Sequence, residues 1–96
     1  MSEEVTPMQQ KTIPIINKLG LHARAAAKLV TTASRFAAEI NISHNGQTVN
    51  GKSIMGVMML AASKGTEITV AASGQDEEEA LQAICQLVEN RFGEEQ

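Results

Sequence analysis

Glu39-Ile40-Asn41-Ile42-Ser43-His44-Asn45-Gly46-Gln47-Thr48-Val49 is the stretch that decides the fold. Ile40 and Ile42 fall on one side of an extended chain. Asn45-Gly46 supplies the two residues that best tolerate the positive φ of a tight hairpin turn, and Gln47–Val49 returns as a short strand. A hairpin here makes the sheet antiparallel. Outward from it, Glu67–Ala72 alternates again, with Ile68 and Val70 as the inward pair. Upstream, Lys11–Ile16 is β-branched and apolar and reads as the first strand, with Pro14 acceptable on an edge. Asn17-Lys18-Leu19-Gly20 ends it.

The remaining segments change period. From about Ala23 to Phe36 the apolar residues Ala26, Ala27, Val30, Ala33 and Ala37 recur at helical spacing, which predicts an Ala-rich amphipathic helix. Ser53–Leu60 reads as a short helix capped by Ser53, with Ile54, Val57 and Met58 forming a stripe. Asp76 is expected to cap a last helix whose third residue, Glu79, has capping-box spacing. That helix should bury Ala80, Leu81, Ile84, Leu87 and Val88. The order βαββαβα predicts an α+β open-faced β-sandwich: a four-stranded antiparallel sheet with three helices on one face.

Ninety-six residues make a single domain over 1–96, with a core from about 9 to 92 and polar ends at Met1–Met8 and Gly93–Gln96. Aromatics are only Phe36 and Phe92, so the core must be aliphatic. A net charge of −3 argues against nucleic acid and anionic membrane as main partners. Lone Cys85, near the apolar stripe of the last helix, should be buried and inert. With no leader and no apolar run of membrane length, it points to a cytoplasmic protein. His44, before the turn, should be exposed. No Cys or carboxylate stands at ligand spacing from either histidine, so no metal site or cofactor is expected.

Chemistry concentrates at Gly20-Leu21-His22-Ala23-Arg24. His22 stands where a loop becomes a helix. The N–H groups of the first turn, Ala23 and Arg24 among them, have no intrahelical acceptor. Leu19, Gly20 and Leu21 offer no capping side chain, and imidazole is a poor cap. These donors are left to water or to an anion, and the helix dipole favours the anion. Arg24 adds a cation with fork geometry for phosphoryl oxygens. Lys18, Lys28 and Arg35 are expected to gather near His22 as well. The same field opposes a protonated ring, and a neutral imidazole is a competent nucleophile toward phosphorus.

Gly20-Leu21-His22-Ala23-Arg24-Ala25-Ala26 resembles the active-site motif of the HPr family of phosphotransferase-system carriers. Asn50-Gly51-Lys52-Ser53-Ile54-Met55-Gly56 resembles that family's second signature, at the expected distance. The likeness runs from about Lys11 to Phe92. It implies a carrier, not a stand-alone enzyme, phosphorylated on Nδ1 of His22 with Arg24 closing over the phosphoryl group. It also implies an enzyme I-type donor that draws on phosphoenolpyruvate, and an enzyme IIA-type acceptor. Ala25 stands where many members have proline, a change that costs little at a helix start. Asn17–Gly20 and the acidic Glu77–Leu81 are similar to the nitrogen-related branch.

Ser53 matches the family's regulatory serine, which implies an HPr kinase/phosphorylase as a further partner. The fold of that family sets Ile54, Met55 and Met58 beside the active-site helix. A helix cannot easily bury the adjacent pair Ile54 and Met55, so an exposed apolar docking surface is expected, flanked by Ala23, Ala27, Thr31 and Ser34. A monomer is expected. Two other readings compete with the carrier. A regulatory docking module controlled by serine phosphorylation need not keep His22 and Arg24, and both are present. An RNA-binding α+β domain needs aromatics on its strands, and Lys11–Ile16 and Glu67–Ala72 have none.

Overall fold

A computed structural model describes residues 8–95. Strands β1 (Gln9–Pro14), β2 (Glu39–His44), β3 (Gln47–Asn50) and β4 (Glu67–Ser73) form one sheet in the order β1-β4-β2-β3. Helices α1 (Ala23–Ser34), α2 (Ile54–Met59) and α3 (Glu77–Glu89) complete the order βαββαβα, and a 3-10 turn at Arg91–Gly93 follows. Every strand pairing is antiparallel. This is the α+β open-faced sandwich expected from the pattern.

The registers explain why the helices cover one face only. Ile13 lies opposite Ile68, Val70 opposite Ile42, and Ile42 opposite Val49. Ile13, Ile40, Ile42, Ile68 and Val70 are buried in one core with Leu29 of α1, Ile84 and Val88 of α3, and Phe92. Each such side chain contributes about 1.5–3 kcal/mol on burial. Residues one position out of phase form the wet face. Thr12, Thr69, Ser43 and Thr48 make a hydroxyl row across all four strands, with Thr12 and Thr69 bonded at 2.9 Å and Ser43 and Thr48 at 2.9 Å.

Several local expectations shift. Strand β1 runs two residues earlier than 11–16, although Ile15 still bonds Thr66 and Gly65 through its backbone beyond Pro14. The buried face of α1 is Ala25, Ala26, Leu29 and Ala33, whereas Ala27 and Val30 are half-buried and Ala37 is exposed. With so many alanines the stripe can be drawn at two phases, and Leu29, the largest apolar residue of the helix, selects the buried one. Leu87 of α3 is half-buried, packed at the rim of the core. His44 is also half-buried, its Nδ1 3.0 Å from the Glu67 carbonyl. Cys85 is buried as expected, and burial pushes its thiol up.

The start of α3 differs in a more informative way. Asp76 is its N-cap by position, but its side chain does not cap. Its carboxylate instead accepts from Ala38 N at 2.8 Å and Ala37 N at 2.9 Å, tying α3 to the loop between α1 and β2. Glu77, not Glu79, reaches back, accepting from Gly74 N at 2.9 Å. The Ala37 N–H holds the Asp76 carboxyl below its usual range; burial opposes this, and Ala38 N–H and Lys52 assist it. Because the folded state favours the charged form, Asp76 adds stability above the ordinary value of about 3.9 and loses it as pH falls through the lower folded value. Urea midpoints of the wild type and Asp76→Asn are therefore expected to differ at neutral pH and to converge in acid. A gap that stayed constant as the solution was acidified would count against this.

Candidate functional site

Asn17 and Gly20 build the loop that presents His22. Asn17 is fully buried, and its Nδ2 donates to the Gly20 carbonyl at 2.8 Å, while Gly20 N donates to the Asn17 carbonyl at 3.2 Å. Gly20 has φ +66°, and a Cβ there would meet the Ala62 carbonyl oxygen at 2.6 Å and Ser63 Cα at 2.9 Å. Leu21 N then donates to that same Ala62 carbonyl at 2.9 Å, locking the loop against the segment after α2. The chain reaches His22 in an extended conformation, φ −75° and ψ 178°, and turns into α1.

His22 is the N-cap, and no side chain caps the helix. The N–H groups of Ala23 and Arg24 thus have no intrahelical acceptor. A cleft of about 600 Å³ lies over them, lined by Lys18, Leu19, His22, Ala23, Arg24 and Glu94. The sequence placed four cations around His22, and the structure brings two of them to the cleft. Lys28 Nζ instead donates to the Phe92 carbonyl at 2.7 Å. Arg35 caps the far end of α1, its guanidinium 5.8 Å from the centre of the Phe36 ring, roughly 18 Å along the helix axis.

Glu94 is the residue that sequence reasoning missed, having assigned Gly93–Gln96 to a polar end. Its Oε2 bonds His22 Nε2, and its Oε1 accepts from Asn17 Nδ2 at 3.0 Å. Burial works to raise its carboxyl, but the Asn17 amide, His22 and Lys28 outweigh burial and hold it below the usual range. Arg91 and Phe92 make this return possible. Both are left-handed, at φ +55° and +54°, and Gly93 follows at +80°. That geometry costs roughly 1–2 kcal/mol per side-chain-bearing residue. Phe92 is completely buried, which offsets the cost. The positive field expected at His22 therefore has a carboxylate set against it. His22 Nδ1 has no hydrogen-bond partner among the described residues.

Ser53 Oγ accepts from Gly56 N at 3.1 Å, capping α2 as expected. The stripe of Ile54, Val57 and Met58 splits: Val57 is buried, while Ile54, Met55 and Met58 are exposed, Met55 at 72%. Met59, on the same helix, and Leu19, at the cleft, are exposed as well and were not singled out from the sequence. Ala23, Thr31 and Ser34 on α1 are exposed and Ala27 is half-buried. Among the described residues no group of three His, Cys, Asp or Glu side chains is placed to hold a metal. No helix among them is long and apolar enough to cross a membrane.

Fold and site together define an open-faced sandwich that presents one histidine at an uncapped helix start. Residues 9–90 match the family model described as the PTS HPr component phosphorylation site. Phosphocarrier protein HPr of Cupriavidus necator is 54% identical over 87 residues, covering 91% of this chain and 98% of the relative. HPr of Pseudomonas aeruginosa is 54% identical over 83 residues, covering 85% and 92%. In structure, HPr-C-His from Thermoanaerobacter tengcongensis superposes with a TM-score of 0.88 at 49% identity, covering 92% of this chain and 99% of that one. The chain belongs to the HPr family of phosphocarrier proteins.

Proposed function

We propose that this protein accepts a phosphoryl group on Nδ1 of His22 from an enzyme I-type donor charged by phosphoenolpyruvate, and passes it to an enzyme IIA-type acceptor. One observation carries this reading. His22 stands at the start of α1 with no side-chain cap, its Nε2 engaged by Glu94 and its Nδ1 without a partner among the described residues. The phosphoryl oxygens would lie on the N–H groups of Ala23 and Arg24, with the Arg24 guanidinium closing over them. All of these groups come from one chain, so the site needs no second copy, and we read the carrier as a monomer. A buried free cysteine suits the cytoplasm.

Within the family, Asn17–Gly20 and Glu77–Leu81 support the nitrogen-related branch over sugar uptake. Incubation with phosphoenolpyruvate and enzyme I should add one phosphoryl group, stable to base and labile to acid. An acid-stable product would place the phosphate on another residue type and overturn the assignment.

Ser53 is proposed as the regulatory serine of an HPr kinase/phosphorylase. A phosphate there meets the N-terminus of α2 and sets negative charge beside Ile54 and Met55 on the docking face made with Met58, Ala23, Ala27, Thr31 and Ser34. Ser53→Ala should cost about 1 kcal/mol by loss of the cap and leave phosphoryl transfer unchanged. Ser53→Asp keeps a capping oxygen, so stability should survive while transfer slows at limiting donor and recovers at saturation. Equal transfer rates for the wild type and Ser53→Asp at limiting donor would leave Ser53 a cap and nothing more.

A further inference from the structure

Glu94 touches the one histidine on which the carrier reading rests, and it is held there by more than chance proximity. Its second oxygen is fixed by Asn17, which is itself fully buried and bonded to Gly20 of the same loop. The turn that delivers it is anchored by completely buried Phe92 and by Lys28 on the Phe92 carbonyl. A surface carboxylate meeting a histidine by accident would have none of these supports. Here the loop, α1 and the C-terminal turn all converge on one contact.

A carboxylate on Nε2 dictates what Nδ1 can do. It requires the ring proton on Nε2, so in the neutral ring the lone pair sits on Nδ1. We infer that Glu94 is the positioning carboxylate of His22: it keeps Nδ1 as the nucleophilic nitrogen and balances the positive charge that grows on the ring as phosphorus is attacked. This rests on the carrier reading and adds a residue to it. In the step, the Nδ1 lone pair forms the N–P bond while the donor's bond to phosphorus breaks, its electron pair leaving with the donor group. The Nε2 proton stays in place, so the product is a cationic ring bearing a dianionic phosphoryl group, with Glu94 against the cation. In the reverse step the same proton makes the ring a neutral leaving group. The two negative groups stay apart because they occupy opposite nitrogens. Lys18 and Arg24 face the cleft, and Lys28 faces Glu94 from α1.

The test uses the full chain and phosphoramidate, a small N–P donor whose leaving group is ammonia and which needs no partner protein. Glu94→Ala removes the acceptor and the charge; Glu94→Gln keeps an acceptor without the charge. In the wild type a proton NMR signal for Nε2–H is expected downfield and slow to exchange. It should be retained in Glu94→Gln and lost in Glu94→Ala. Above the acid limb, phosphorylation by phosphoramidate should slow about tenfold in Glu94→Ala, equivalent to roughly 1.4 kcal/mol in the barrier, with Glu94→Gln between. A rate or an Nε2–H signal unchanged in Glu94→Ala overturns the inference. Loss of the signal in Glu94→Ala while the wild type takes up no phosphoryl group on His22 would overturn the carrier reading instead, leaving Glu94 as a partner of the ring alone.

Discussion

Replacing His22 by alanine is expected to abolish phosphoryl uptake from phosphoenolpyruvate and enzyme I while leaving the fold intact. The ring is part-exposed, lies outside the core, and caps nothing. Its removal deletes the nucleophile and the contact with Glu94, whose other oxygen still has Asn17. A change of that kind is within about 0.5 kcal/mol, a melting shift of no more than about 4 °C for a domain of this size. Intact-mass measurement after incubation should show the added phosphoryl group on the wild type only, and calorimetry should show nearly coincident transitions. An acid-labile phosphate retained by His22→Ala would move the acceptor elsewhere.

Gly20→Ala is expected to have the largest effect on stability of any single methyl group added near the site. At φ +66° an L side chain costs about 1–2 kcal/mol, and the new Cβ would collide with backbone at 2.6 and 2.9 Å, where no side chain can swing aside. With an overpacking cost of about 1–3 kcal/mol added, the total is roughly 2–5 kcal/mol against a typical stability of 5–15. The loop would have to retreat from Ala62, breaking the Leu21–Ala62 bond and moving His22 off the end of α1. Chemical denaturation should therefore show a lower midpoint, and phosphoryl uptake should fall even under conditions where the variant is folded. A midpoint equal to the wild type would show that the loop relaxes freely and that its shape does not set the site.

What the sequence made legible was local. The Asn45-Gly46 turn, the alternation of Ile40 with Ile42 and of Ile68 with Val70, and the helical spacing of α1 and α3 each depend on neighbours along the chain. The uncapped start of α1 was legible for the same reason, since only nearby residues could have capped it. Three features were set by tertiary contacts that no window reveals. Asp76 has a capping residue's place, yet its carboxylate accepts from Ala37 and Ala38 on the loop between α1 and β2, while Glu77 reaches back to Gly74 N ahead of the helix. Lys28 and Arg35 sit on the same helix as Arg24, but their side chains are drawn to the Phe92 carbonyl and the Phe36 ring. Glu94 returns to His22 only because Arg91 and Phe92 adopt a left-handed backbone, which neither residue type announces. The signal available was weak: a lone Phe92 at the border of a polar end, which asks to be buried.

The place of β4 in the sheet has a consequence for how the chain is made. It is the last strand to be synthesised among the described residues, yet it lies between β1 and β2, which do not pair with each other. Until residue 73 has left the ribosome, the nascent protein holds a β2–β3 hairpin and an orphaned first strand with no neighbour to join. Thr12 waits for Thr69, fifty-seven positions later, and the buried Phe92 arrives later still. Closing so long a loop is slow compared with forming a helix or a hairpin. The loop carrying His22 therefore gains its contact with Glu94 only after β4 has been made. A pause or truncation between α1 and β4 would release a chain that carries the Gly20–Ala26 motif in full and lacks the central strand of the sheet that presents it.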